Sequence, residues 1–162
     1  MQNFIGGFKD VLDSSEKIFR NISEERSKVK PSPEKWSSKE ILGHLIDSSI
    51  NNIRRLVLSQ LQDNLIFSGY LQDDWVKIQN YQNREWNSLV DLWMANNLHL
   101  INIVEQIPVE IWGKKFSKHN FNEILSESFS PDQQVTIEMM MRDYLYHMRH
   151  HIDQIYKQAD AN

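Results

Sequence analysis

The sequence contains no cysteine. This absence excludes a disulfide framework, a thiolate nucleophile, and zinc or iron–sulfur sites built on cysteine. Glycine and proline are scarce as well, with 5 and 4 among 162 residues. Segments of alternating apolar and polar residues bounded by turns, which would indicate strands, are also rare. The sequence therefore favours an all-α protein.

Three further absences limit the function. No apolar run approaches the length needed to cross a bilayer, and the N-terminus lacks the basic start and apolar stretch of a signal peptide. No dense basic cluster is present and the formal net charge is -4, whereas a nucleic-acid binder normally needs a basic surface. We therefore expect a cytoplasmic protein that binds neither membrane nor nucleic acid and acts on a small molecule.

The chain has the composition of an ordinary globular domain, with 40% hydrophobic and 25% charged residues. Its length suits one domain over residues 1–162. A short helix is indicated around Trp75, in the connection 63–82, and four longer segments show apolar residues at helical spacing. Four long amphipathic helices in one domain predict a four-helix bundle. These helices are predicted over most of residues 2–27 and over residues 38–61, 84–106 and 131–158.

Two of the predicted helix starts carry capping signals. Ser37 is a good N-cap and Glu40 stands three residues later, which is the pattern of a capping box. The last helix shows similar features, with Ser130 as N-cap, Pro131 at the first helical position and Gln133 three residues beyond the cap. We therefore expect the second long helix to begin at 38 and the last at 131.

The stretch HMRHH near the C-terminus holds half of the six histidines. His147 and His151 are four apart, so they share one helix face and can bind one divalent ion. His150 points roughly away from the core-facing stripe. The pair lacks the glutamate of the H-E-x-x-H motif, because Met148 occupies its place, and this disfavours a metallopeptidase of that kind. Spacing alone leaves two interpretations open, a metal site or solvated polar residues near a helix end.

A third ligand would have to come from another helix, and His44 in GHLIDS is the candidate. On a helical wheel His44 shares a polar stripe with Ser48, Asn51 and Arg55, away from the main apolar face. Such a stripe fits a face exposed to solvent and equally a face that lines a water-filled cleft. Asp47 lies near the same face, where it is either a candidate catalytic acid–base group or a solvated helix acid.

Three other residues near these motifs also have two interpretations each. Gln154 follows His151 around the helix and either supports it or belongs to the polar surface. Tyr144 is expected in the core rather than in a cleft. Trp75 is expected to cover an end of the bundle rather than to wall a pocket.

Four stretches resemble, in order, the motifs of a known family: WSSKEILGHLIDS, GYLQDDWVKIQNY, LVDLWMANNLHL and RDYLYHMRHHIDQI. The resemblance is to the DinB-like superfamily (DinB/YfiT-like metalloenzymes) and runs from about Glu34 to Ile155. It implies a four-helix bundle, often homodimeric, with a divalent metal held by one histidine of the second helix and two of the last. Matched position by position, these ligands are His44, His147 and His151.

The resemblance also implies chemistry on a small molecule. Three imidazoles leave a coordination position open, whereas structural zinc usually has four protein ligands. The family includes metal-dependent hydrolases and transferases that use low-molecular-weight bacterial thiols, so the metal would activate water or a thiol. Three histidines suit Zn²⁺, Ni²⁺, Fe²⁺ or Co²⁺. The alternative is a helical-bundle module that binds a metal or another ligand without turnover.

Overall fold

The computed structural model describes residues 1–160, and the named elements within this range are all helical. Two isolated β-bridges join Leu65 to His119 and Phe116 to Val135. None of the helices described is both long and apolar enough to span a membrane. The elements in chain order are α1 (Gln2–Phe19), α2 (Glu24–Ser27), α3 (Ser38–Leu58), α4 (Gln72–Ile78), a 3₁₀ helix (Tyr81–Asn83), α5 (Trp86–Gln106), α6 (Val109–Trp112), α7 (Phe121–Ile124) and α8 (Ile137–Asp160).

The four long helices α1, α3, α5 and α8 form a four-helix bundle, which confirms the predicted fold class. Helix α3 packs against α5 and α8, and α1 packs against the same two helices. Aromatic side chains join them in the core: Phe8 lies 5.9 Å from Tyr144 and Phe19 lies 5.3 Å from Trp93, measured between ring centroids. These contacts bury large apolar surfaces on α1, α5 and α8. The contact between α3 and α8 forms one wall of the bundle, and it carries the histidines.

The capping box predicted for α3 is present. The Ser37 side chain accepts a hydrogen bond from the Glu40 amide, and the Glu40 carboxylate accepts one from the Ser37 amide at 2.9 Å. Both bonds satisfy amides that the helix leaves unpaired at its start. They fix the beginning of α3 about two turns before His44.

The last helix begins at Ile137, so the predicted start at Pro131 is wrong. Val135 is buried and exchanges two backbone hydrogen bonds with Phe116, at 2.8 and 3.0 Å. This pairing holds the chain extended just before the helix. The Thr136 hydroxyl then accepts a hydrogen bond from the amide three residues later, at 3.1 Å. Pairing with a distant segment thus overrides the local capping signal.

The first helix ends at Phe19, so the single helix expected over most of residues 2–27 is divided into α1 and the short α2. The Trp86 indole donates a hydrogen bond of 2.7 Å to the Phe19 carbonyl. The chain turns there and starts the short helix α2, whose N-cap Ser23 accepts a hydrogen bond from the Arg26 amide. The predicted C-terminus of α3 lies three residues beyond the observed one, and the predicted N-terminus of α5 lies two residues before it. Differences of about this size are common at helix ends.

Candidate metal centre

The three histidines indicated by the sequence motifs come from two helices. His44 lies on α3, while His147 and His151 lie one turn apart on α8. One ligand nitrogen of each lies within 4.8 Å of those of the other two. Within residues 1–160 the group has no fourth histidine or carboxylate. The fold therefore brings together residues that are about a hundred positions apart in sequence.

The closest approach in the cluster is between the Nε2 atoms of His44 and His147, which are 3.1 Å apart. Two nitrogens that each lie about 2.0–2.1 Å from a tetrahedral ion are separated by about 3.3 Å. The ring centroid of His151 lies 4.8 Å from that of His44 and 4.6 Å from that of His147. The donor set and its spacing fit a divalent transition metal, whereas Mg²⁺ and Ca²⁺ prefer oxygen ligands.

Burial keeps these imidazoles neutral. Burial is the main cause that lowers the pKa of His44 to about 3, and repulsion from the rings of His147 and His151 lowers it further by a smaller amount. Burial, followed by repulsion from His151, likewise lowers the pKa of His147 to about 3. The pKa of His151 is also lowered, again chiefly by burial. A neutral imidazole has the lone pair that a metal needs, so binding at neutral pH displaces no proton from these rings.

Gln154 orients His151. Its Oε1 atom accepts a hydrogen bond of 2.9 Å from Nδ1 of His151, which places the proton on Nδ1 and leaves the Nε2 lone pair free. Its Nε2 atom donates to His150 at 3.1 Å. Gln154 is therefore a supporting residue of the cluster, and the exposed His150 contacts both Gln154 and the ring of His151, whose centroid lies 5.2 Å from its own.

Asp47 is fully buried, one turn after His44. Its Oδ1 atom accepts a hydrogen bond of 2.7 Å from the Tyr81 hydroxyl and another from the Gln79 amide. Its Oδ2 atom has no hydrogen-bond partner among the described residues. Burial raises the pKa of Asp47, while the bonds from Tyr81 and Gln79 partly offset this rise. The carboxylate thus binds the 3₁₀ segment rather than a histidine.

A glycine makes this arrangement possible. A Cβ atom on Gly43 would lie 2.2 Å from Cδ2 and 2.8 Å from Cβ of Tyr81. The root of the Tyr81 side chain therefore lies directly on the backbone of α3, beside His44. Glycine lets the two segments approach closely enough for the Tyr81 hydroxyl to reach Asp47.

A cleft of about 240 Å³ opens beside His44 and His147. One of its walls is the polar stripe of α3, which continues from His44 through Ser48 to Arg55. These residues are buried rather than exposed to bulk water, which decides between the two interpretations of that stripe. A second cleft, of about 420 Å³, reaches His151 from the other side.

The remaining predicted residues have other roles. Tyr144 is buried in the core as expected, where its hydroxyl donates to Asn97 at 2.6 Å, but it also lines the cleft beside His147. Trp75 is half-buried and packs on Tyr70, a cleft residue, with ring centroids 4.9 Å apart. His119 lies apart from the cluster, and its Nε2 donates to a backbone carbonyl at 2.8 Å. Sequence reasoning missed Tyr81 and Gln79, because no local pattern marks a side chain that reaches a helix from a connection.

The family follows from a match over most of the chain. The model of the DinB superfamily matches residues 8–155. The chain belongs to the DinB superfamily. The match includes all three clustered histidines and the polar stripe of α3, so the motif resemblance seen in the sequence is confirmed.

One relative of this DinB-superfamily chain is distant in sequence. BH0277 of Halalkalibacterium halodurans, which is named as a candidate metal-dependent hydrolase, is 24% identical over 121 residues. The alignment covers 74% of this chain but only 63% of that protein, so the chain spans less than two thirds of its relative.

Two solved structures share the fold. YfiT from Bacillus subtilis, described as a probable metal-dependent hydrolase with an unusual four-helix bundle topology, superposes with a TM-score of 0.77. The sequences are 16% identical, and the superposition covers 97% of this chain and 84% of YfiT. The DinB-like protein YjoA from the same organism gives a TM-score of 0.62 at 14% identity, with 97% and 90% coverage. At these identities the likeness establishes the fold.

Proposed function

We propose that this protein is a divalent-metal-dependent enzyme in which His44, His147 and His151 hold the metal. The observation that carries the proposal is the convergence of three neutral imidazoles within 4.8 Å, beside a cleft. The metal-dependent hydrolase named among the relatives supports the same class of function. The donor set suits Zn²⁺, Ni²⁺, Fe²⁺ or Co²⁺.

Three protein ligands are typical of catalytic sites, because they leave a coordination position for water or substrate. A bound metal of this kind lowers the pKa of a coordinated water or thiol and so supplies a nucleophile. The chain's own residues provide the rest: burial keeps the ligands unprotonated, Gln154 orients His151, and the cleft admits a small molecule.

The proposal covers two reactions at one site, hydrolysis of a small molecule and transfer to a low-molecular-weight thiol. Both use the same ligands and differ in which nucleophile occupies the open position. The cytoplasmic location and the homodimer expected from the sequence stay predictions.

Asp47 stays a predicted contributor to this chemistry. Its complete burial and its bonds to Tyr81 and Gln79 support a positioning role, in which it holds the 3₁₀ segment beside His44. A positioning role predicts that Asp47→Asn weakens metal affinity together with activity. A direct role in proton transfer would instead lower activity while the metal affinity stays unchanged.

The test begins with metal analysis of protein purified without chelators. We expect about one divalent ion per chain, as for three-histidine sites in general. His44→Ala and His147→Ala should lose this ion, because two imidazoles rarely retain it. His99→Ala is the matched control, since His99 is an exposed histidine on α5 away from the cluster.

A panel of hydrolysis and thiol-transfer substrates then identifies the reaction, with His151→Ala as the inactive variant. A protein that contains no metal and does not bind added Zn²⁺ or Ni²⁺ would refute the proposal. An activity that persists unchanged in His151→Ala would refute the mechanism.

A further inference from the structure

Arg55 is a buried cation that forms no direct ion pair. The residue is only 5% exposed, and it lines the cleft beside His147. No direct hydrogen bond or ion pair joins its guanidinium to another of the residues described, although the Asp143 carboxylate attracts it through space and partly offsets the lowering of its pKa by burial. An arginine stays protonated in proteins, and burial of an unpaired charge is costly. A buried arginine that faces a cleft in this way is suited to bind an anion from solution.

The position of Arg55 relates this cation to the histidine cluster. His44 and Arg55 are eleven residues apart on one face of α3, which places their Cα atoms about 16 Å apart along the helix. Side chains on a helix lean towards its N-terminus. The distance from the Arg55 guanidinium to His44 is therefore shorter than the distance between the two Cα atoms. Ser48 and Asn52 line the cleft between the two. Besides burial, the charge of Arg55 also contributes to the lowered pKa of His147, so the guanidinium acts on the cluster itself. A ligand that reaches both would be a small molecule extended along the cleft.

The charges in the cleft favour one kind of anion. Arg55 is the cation of the lining, and Asp143 and Glu123 are carboxylates in the same lining. The Asp143 Oδ1 atom is already occupied, because it accepts hydrogen bonds from the Ser126 and Glu127 amides at 2.9 and 2.7 Å. With two acids nearby, a dianion such as a phosphate monoester would meet more repulsion than a singly charged group. A carboxylate also matches the planar fork of the guanidinium.

We propose that Arg55 binds the carboxylate of an extended small-molecule substrate whose other end reaches the histidine cluster. The inference deepens the proposed function and depends on it for the identity of the reacting end. Arg55 would thus determine specificity, since it contacts the substrate at a distance from the reacting atoms.

The test uses probes that carry a metal-binding thiol at one end. A homologous series of ω-mercaptoalkanoates is titrated into the Co²⁺-loaded protein, and the thiolate-to-cobalt absorption band gives the Kd. Each acid is compared with its own primary amide. We expect one chain length at which the acid binds about ten-fold or more tightly than the amide, as for a hydrogen-bonded ion pair.

Arg55→Met should abolish this preference, and Arg55→Lys should keep only part of it, because lysine retains the charge but loses the fork. Arg54→Met is the matched control, since Arg54 is the neighbouring arginine and is exposed. Metal content and circular dichroism verify that each variant is loaded and folded. Equal affinity for acid and amide at every length, or a preference that survives in Arg55→Met, would overturn the inference.

A second measurement separates this inference from the proposed function. The Arg55 Nε–H signal in the ¹⁵N NMR spectrum of metal-free protein is followed during titration with hexanoate and with hexanamide. A shift with hexanoate alone supports the carboxylate site even if no metal binds. If the wild type binds metal but this signal responds to neither compound, the inference fails while the proposed function stands.

Discussion

Gly43 allows a test of how the 3₁₀ segment is held against α3. In Gly43→Ala the new Cβ would lie 2.2 and 2.3 Å from the Cδ2 and Cγ atoms of Tyr81. These atoms, with Tyr81 Cβ at 2.8 Å, belong to the root of the side chain, which a change of rotamer does not clear. The 3₁₀ segment would have to move away from the helix.

The net effect on stability is the balance of two opposing terms. Alanine in place of glycine within a helix stabilises it by about 1 kcal/mol. Overpacking costs about 1–3 kcal/mol, and loss of the Tyr81 bond to the buried Asp47 adds about 1–3 kcal/mol. We therefore expect Gly43→Ala to lower the free energy of unfolding by about 1–5 kcal/mol, although helix propensity alone predicts a gain.

Urea denaturation followed by circular dichroism measures this change. Gly6→Ala is the matched control, because Gly6 also lies within a helix but nothing lies within 4 Å of an added Cβ. It should stabilise the protein by about 0.5–1 kcal/mol. Metal affinity should fall in Gly43→Ala, since the displaced segment lies next to His44, and stay unchanged in Gly6→Ala.

A double-mutant cycle identifies the cause. In a Tyr81→Gly background the clash is absent, because glycine also lacks the Cβ atom that would lie at 2.8 Å, so the cost of Gly43→Ala should disappear or change sign. If Gly43→Ala stabilises the wild type as much as Gly6→Ala does, the close approach of Tyr81 is wrong. If the cost persists in the Tyr81→Gly background, its cause lies elsewhere.

Two further predictions concern the last helix and the histidines. Thr136→Ala should lower the unfolding free energy by about 1 kcal/mol, because it removes the observed N-cap, whereas Ser130→Ala should have little effect; equal urea midpoints for the two variants would contradict this assignment. The pKa of His44 and His147 falls from 6.5 to about 3 on folding, so the unfolded chain binds more protons between these values. The metal-free protein should therefore be fully stable above about pH 6.5 and lose stability as the pH falls towards 3. A His44→Ala variant should show a shallower dependence, and the same slope in both proteins would contradict the neutral, buried state of His44.

The sequence was sufficient to predict much of the architecture. The capping box at Ser37 and the spacing of His147 and His151 are local features, and the structure retains both. The predicted start of the last helix was wrong, and the reason is physical. Ser130 has the right chemistry for an N-cap, but Val135 pairs with a segment about twenty residues away, and the sequence carries no signal of that pairing.

The histidines show what the local sequence pattern could not predict. Helical periodicity placed His44 and Arg55 on one polar stripe, and this was correct. Periodicity does not say what covers such a stripe, and a surface face would have given the same pattern. Only the family resemblance indicated that His44 faces a cleft.

The sequence by itself determined four amphipathic helices and the residues that share a face on each, because these follow from spacing within one segment. The tertiary structure decided which faces meet. It buried His44 opposite His147 and His151, placed Tyr81 on Gly43, and left Arg55 without a direct ion pair in the cleft. These features depend on contacts between segments far apart in the chain, and the packing of whole helices selects them.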